Sequence, residues 1–229
     1  MKLLPNHPAL KDGRTIHQKK VFNPLTSKSG ILKPVGNNSK LGKGLSVVMK
    51  GKWRGMPMFS LTLEERKTCP RTCHHYDTCY GNNVLFAHRF EHGKNLEIKL
   101  SQEIEQLSRL YPHGFVVRLH VLGDFYSVKY VQLWLDFLAK YPNLHVFGYT
   151  ARFQGAIAKK LAEVREKFSE RFWVRTSRNP HSEIDGLYAV RENFEGDSIT
   201  CPEQTGKTSS CLTCGLCWSV IKNVKFLTH

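Results

Sequence analysis

The sequence has no apolar run approaching the ~18 residues that a membrane span requires. Its opening stretch, Met1-Lys2-Leu3-Leu4-Pro5-Asn6-His7, lacks the apolar core of a secretory leader. Both absences lead to the expectation of a cytoplasmic protein that uses no membrane. The motifs His-Glu-x-x-His and Gly-x-Ser-x-Gly are absent too, so zinc-protease and serine-hydrolase chemistry have no carrier. Gly206-Lys207-Thr208 looks like the end of a phosphate loop, but Cys201 stands where its leading glycine belongs. Acidic residues are scarce at one end of the chain. Residues 1–58 hold twelve Lys and Arg side chains and a single acid, Asp12.

What is present describes an ordinary globular chain. Its 229 residues are 41% hydrophobic, 11% aromatic and 23% charged, which suits one sizeable core and excludes a disordered or coiled-coil protein. The net charge of +15 is concentrated: residues 1–58 carry +11, and the other 171 carry +4. A one-signed segment of this kind suits an anionic partner, most often DNA or RNA, although a solvated basic arm is the plainer alternative. Trp53, between Lys52 and Arg54, either stacks on a base or staples its own loop.

Hydrophobic spacing orders the middle of the chain. Leu45–Met49 and Pro57–Leu61 read as short strands of a hairpin closed by residues 50–55. Leu96, Leu100, Ile104, Leu107 and Leu110 recur at helical spacing and stop at Tyr111-Pro112. Strands over 115–121, 144–149 and 172–176 alternate with helices after Ser127 and over 156–168, the rhythm of consecutive βαβ units. This predicts an α/β fold with a parallel sheet, open or partly closed as a (β/α) barrel. The chain divides into three units: a basic extended arm at 1–45, an α/β core at 46–182 and a loop-rich cysteine appendage at 183–229. Trp134, Phe137 and Phe147 fall at core spacing.

In such folds functional groups collect where strands end at their carboxyl edge. His120 with Gly123-Asp124, Thr150 with Arg152, and Arg175-Thr176-Ser177-Arg178 should therefore share one rim. Each alone reads as a loop or capping residue; their convergence points to a site.

Seven cysteines fall in two groups, an odd number in a reducing compartment. Cys201, Cys211, Cys214 and Cys217 form C-x9-C-x2-C-x2-C, closer to ferredoxin spacing than to paired zinc hooks. Cys69, Cys73 and Cys79 form C-x3-C-x5-C, which suits three irons of a four-iron cluster with the fourth iron open. The alternative is a zinc site completed by His74 or His75.

These motifs in order resemble the phage gene product 88 family of phage and plasmid proteins. The likeness is carried by Thr68-Cys69-Pro70, Cys73, Cys79-Tyr80, Arg118-Leu119-His120, Gly123-Asp124-Phe125, Tyr149-Thr150-Ala151-Arg152, Cys201-Pro202, Cys211, Cys214 and Cys217. It implies an α/β barrel similar to radical S-adenosylmethionine enzymes, in a mobile-element genome, with no established activity. Those enzymes usually carry C-x3-C-x2-C and a Gly-Gly-Glu stretch; here the second gap is five, and Gly123-Asp124 is the nearest counterpart.

Two functions are thus expected. In the first, the seven cysteines hold one or two 4Fe-4S clusters, and S-adenosylmethionine meets His120, Gly123, Asp124, Thr150 and Ser177. Asp124 then orients an amine or moves a proton, Arg152 and Arg175 bind carboxylate or phosphate, and the basic segment holds a nucleic acid. In the second, zinc fills both sets and the chain binds DNA or RNA without chemistry.

Overall fold

The computed structural model describes residues 20–73, 75–76, 79–84, 87–177, 187–191 and 194–227. His74, Arg178 and the first nineteen residues, which include Asp12, lie outside them. Two early strands, β1 (Val21–Phe22) and β4 (Arg89–Phe90), pair in parallel apart from the main sheet. The main sheet is built from β2 (Lys33–Pro34), β3 (Met58–Ser60), β5 (Phe115–Leu119), β6 (Leu144–Thr150), β7 (Phe172–Ser177), β8 (Tyr188–Arg191), β9 (Ser198–Thr200) and β10 (Asn223–Phe226). Its order is β2-β3-β5-β6-β7-β8-β10-β9, and every pairing is parallel except β2 with β3. Among the described residues the ladder does not close into a barrel.

Three helices cover one face: α2 (Lys94–Leu110), α3 (Val128–Lys140) and α4 (Gly155–Lys167), while a single turn, α1 (Glu65–Thr68), comes after β3. The Ser127 hydroxyl caps α3 by accepting from the Tyr130 amide at 3.1 Å, as its position predicts. The central strands read as unbroken apolar runs because both their faces are covered. Phe115, Val117, Leu119, Leu144, Val146, Phe172 and Val174 pack under the helices. Their neighbours Val116, Phe147 and Trp173 face a second core, with Val35, Leu41, Val48, Trp53, Met58, Leu212 and Trp218.

That second core ties the two ends of the chain together. The described part of the expected arm is packed: Ile31 and Val35 are fully buried, and Glu103 of α2 accepts from the Ile31 and Leu32 amides at 2.8–2.9 Å. The described part of 183–229 continues the sheet through β8, β9 and β10 and lays Leu212 and Trp218 over its second face. The Cys211 and Leu212 amides donate to Lys40 and Leu41 carbonyls, and the Met49 amide donates to the Leu212 carbonyl. Trp53 staples this layer, stacking on Trp218 with centroids 5.7 Å apart. The hairpin forms as one antiparallel bridge, Val47 with Pro57, before the chain enters β3.

At one point the sheet has no room for a side chain. Gly148 of β6 pairs with Leu119 of β5, and a Cβ there would run into the Leu119 carbonyl oxygen. The obstacle is backbone in a central strand and cannot swing away. Gly148→Ala should therefore cost about 3 kcal/mol or more, at the upper end of overpacking. A denaturant midpoint within experimental error of wild type would contradict the close approach.

Candidate functional site

The turn α1 carries the chain from the end of β3 to Cys69, whose amide donates to the Glu65 carbonyl. One buried ion pair shapes the loop beyond this turn. Arg89 and Glu65 are 1% and 3% exposed and meet at 2.9 Å, and Arg89 also donates to the carbonyls of Gly81, Val84 and Ala87. Arg66 reaches the Tyr76 carbonyl and the Asn82 side chain. The loop with Cys69, Cys73 and Cys79 is thus held at both sides by arginines. All three thiols are partly buried. Burial pushes the Cys69 thiol far up, and the charges of Asp124, Cys79 and Cys73 add to it. Cys73 rises for the same first reason, with Asp124 and Cys79 adding and Arg66 opposing.

Asp124 is the hub of the rim. Its Oδ1 accepts from the Phe125 amide and the Thr150 hydroxyl, and its Oδ2 from the Ala151 amide, each at 2.7 Å. Its own amide donates to Thr68 Oγ1 at 3.2 Å. Arg152 donates to the Phe125 carbonyl at 2.9 Å and to the Thr68 carbonyl at 2.8 Å. The carboxyl ends of β3, β5 and β6 are therefore knotted beside Cys69. Asp124 is 3% exposed, and burial pushes its carboxyl up to about 6 against the pull of its three hydrogen bonds and of Arg152. Gly123, at φ +88°, lets this loop lie on Leu63 and Thr68, where a Cβ would press at 2.7 Å on each.

The rim does not gather every residue expected of it. His120 turns into the helix-side core, its Nε2 3.1 Å from the Tyr130 hydroxyl and its ring edge-on to Phe125. Ser177 pairs with Ala189 at the end of β7. Arg175 has no exposed surface, and its guanidinium donates to the carbonyls of Cys217, Lys222 and Val220 at 3.0, 2.7 and 2.8 Å. In this arrangement Arg175 clamps the C-terminal loop and meets no anion from solvent.

The second cysteine set lies on the sheet face opposite the helices. Cys211 and Cys214 stand one turn apart on α5 (Cys211–Cys214), whose first turn Ser210 and Thr213 close as a capping box. Gly215 then turns the chain at φ +70°, where a Cβ would meet the Lys50 carbonyl. Cys217 sits in the next 3-10 turn, and Cys201 comes from the end of β9. All four line one cavity with Pro202, Glu203, Trp218 and Val224. Burial pushes the Cys211 and Cys217 thiols up, while Lys40 and, after it, Arg118 act against it at Cys211 and Arg175 at Cys217. Among the described residues, no three His, Cys, Asp or Glu side chains are arranged around one point to hold a metal ion.

Sequence reasoning named Arg118 and Tyr149 only as part of the family likeness, with no role, and passed over the Glu65–Arg89 pair. The signal was available for Arg118, since an arginine inside Phe115-Val116-Val117-Arg118-Leu119 announces a polar partner above that strand.

A model of the gene product 88 family matches residues 29–179 of the chain. The chain belongs to the gene product 88 family. The family match, a phage-type one, spans β2 through β7 and includes the rim set of cysteines, Asp124, Thr150 and Arg152. Comparison with curated proteins finds no match, and comparison with solved structures finds none either. No helix among the described residues is long and apolar enough to cross a membrane.

His120 provides a pH test of this geometry. Burial first, then Arg118, lowers its pKa to about 3, so the folded state holds it neutral. A folded pKa below the unfolded value gives stability that is full above ~6.5 and is lost as pH falls toward 3. From pH 6.5 to 4.5 this group should remove roughly 2 to 3 kcal/mol. His120→Asn should flatten that stretch of the stability–pH curve, measured by denaturant unfolding. An unchanged slope would mean that His120 is not buried neutral.

Proposed function

We propose that the chain is an iron–sulfur protein of a phage or plasmid gene set, a radical S-adenosylmethionine-like enzyme acting on a nucleic acid or nucleotide. The observation that carries this reading is the rim: three thiols within one another's field beside the Asp124 hub, at the carboxyl edge of a parallel sheet. The run β3-β5-β6-β7-β8, parallel throughout, is the raw material of the partial barrel that the resemblance implies. When bound, a cluster with one iron free of protein ligand supplies an electron and a place for a small ligand.

The chain's own residues do the rest. Cys69, Cys73 and Cys79 would hold the group, with Arg89 and Arg66 fixing the loop that presents them. Asp124 keeps the ends of β5 and β6 in register with Thr68. Arg152 is partly exposed and pinned at Nε and Nη2, so its fork has a set direction for a carboxylate or phosphate. Cytoplasmic residence and a nucleic-acid partner belong to the same proposal.

A second reading is favoured by the other cysteine set. Cys201, Cys211, Cys214 and Cys217 line a cavity closed in by Trp218 and Val224, and zinc there would be a folding element in a protein that binds nucleic acid without chemistry. Protein purified without oxygen separates the two readings. Broad absorption near ~400 nm with about four to eight irons and matching sulfide per chain supports the enzyme. Cys73→Ala should then lower the iron content by about half and abolish S-adenosylmethionine cleavage while leaving nucleic-acid affinity intact. A colourless protein with one or two zinc ions supports the binding protein instead.

The basic segment has its own test. Residues 20–58 carry eight basic side chains and no acid. Deleting residues 1–45 would also remove β2 and the core residues Ile31 and Val35, so charge substitution is the cleaner probe. Lys43, Lys50 and Arg54 are exposed. Changing all three to Gln should lower the slope of log affinity against log salt by about 2 to 3 on duplex DNA. An unchanged slope would place the contact elsewhere.

A further inference from the structure

We propose that the exposed face of residues 43–54 is a track for single-stranded nucleic acid, with Leu45, Val47 and Met49 against base faces and Lys43, Lys50 and Arg54 meeting phosphates. The track rests on the reading that the partner is a nucleic acid, and it adds which form is bound and where.

Backbone pairing fixes which side chains of this segment face outward. The Val48 amide donates to the Met56 carbonyl, the Gly55 amide to the Val48 carbonyl and the Met58 amide to the Ser46 carbonyl, at 2.8–2.9 Å. Val47 faces Pro57 across the same antiparallel pairing. Side chains alternate along such a strand. Val48 points into the second core, 1% exposed, and the Ser46 hydroxyl lies against Gly36. Leu45, Val47 and Met49 take the other side and are 37%, 38% and 49% exposed. The Met49 amide, bonded to the Leu212 carbonyl at 2.9 Å, fixes the far end. The result is a row of three aliphatic side chains about 7 Å apart, on a backbone that needs no further ordering to bind.

The row lies in a stretch of one charge sign, since residues 20–63 contain no Asp or Glu. Lys40 and Lys52 spend their charge on Glu203 and Glu170, at 3.4 and 3.0 Å. Lys43, just before the row, and Lys50 and Arg54, just after it, are exposed. Cations at both ends of an apolar contact complement a polymer that has an anionic backbone and uncharged bases.

The chemistry of the row selects the form of that polymer. A duplex shows a protein its phosphates and its base edges, and the edges are read by hydrogen-bond donors and acceptors. Leu and Val side chains carry neither, and Met only a weak acceptor. An unstacked base offers an apolar face, and covering it takes apolar surface of both partners out of water. Trp53, the one aromatic of residues 43–54, is 2% exposed and stacked on Trp218, so it is not available to a base. Base contact thus falls to the aliphatic row.

The test compares fluorescein-labelled oligo-dT with a duplex of equal length, by anisotropy in the same buffer at several salt concentrations. The full chain should bind oligo-dT about 10-fold tighter than the duplex. Leu45→Gln, Val47→Thr and Met49→Gln together should weaken oligo-dT binding about 10-fold and leave its salt slope unchanged. Lys43→Gln, Lys50→Gln and Arg54→Gln together should instead lower that slope by about 2. Thermal unfolding checks that the variants remain folded, and Met49→Gln alone, which touches no strand pairing, should still weaken binding roughly 2-fold. Oligo-dT affinity equal to the parent in the apolar variants, or a duplex bound as tightly as oligo-dT, overturns the track. So does an apolar variant that loses binding to phosphatidylserine vesicles while keeping its oligo-dT affinity, which assigns the row to a membrane surface. Absence of salt-dependent binding to either nucleic acid removes the reading beneath the track instead.

Discussion

Arg175 holds three carbonyls of the chain's last loop from a position with no access to water. A guanidinium in that position tolerates no missing partner, so the loop from Cys217 to Lys222 must lie against β7. Much else depends on that one demand. It brings Cys217 under the Tyr149 hydroxyl and sets Trp218 against Phe147 and Trp53. It also places β10 where it can pair with both β8 and β9. The loop in turn receives the segment from Lys40 to Gly51, so this segment and the one around Cys211 to Lys222 become one layer over the sheet. Loss of the Arg175 clamp would loosen all of these contacts together.

The rim works by the same logic with the opposite sign. A carboxylate, Asp124, collects a hydroxyl and two amides from two strand ends. Its burial and full set of partners make it a fastener, and the partly exposed Arg152 beside it ties the same strand ends to Thr68. Thr68 links this knot to the cysteine loop, accepting from the Asp124 amide while its own carbonyl takes Arg152. The position of Cys69 thus depends on hydrogen bonds made one residue away, by the Asp124 amide beyond β5 and the Arg152 side chain beyond β6.

The repeating middle of the chain was legible because local signals agree there. Apolar strands of five to seven residues alternate with helices that have a clear buried stripe and stop at Tyr111-Pro112 and Tyr141-Pro142. The convergence of Asp124, Thr150 and Arg152 on one edge comes from parallel strands alone. The ends of the chain were opaque for a physical reason. Strands β8, β9 and β10 have three or four residues and exist through pairing with distant partners, and the apolar residues between 31 and 42 are buried by contacts with α2 and the C-terminal segment. Composition read that stretch as an arm because Lys, Asn and Gly dominate it, while its few apolar residues, Ile31, Leu32, Val35 and Leu41, do the packing. Residue type placed Arg175 at the rim; only the fold shows that its donors are already taken.

The two cysteine sets share donor atoms and differ in the charges around them. Asp124 acts on Cys69 and Cys73, with Arg66 opposing it at Cys73 alone. Lys40 and Arg118 act on Cys211 and Arg175 on Cys217, with Tyr149 donating a hydrogen bond to its sulfur. The rim set is held through its backbone by a knot of Asp124, Thr68 and Arg152 at the carboxyl ends of the strands. The C-terminal set is held through its backbone by the Arg175 clamp and through one sulfur by Tyr149 of β6. The same residue type is therefore fixed in the two places by different means, and loss of either fastener should disturb its own set alone.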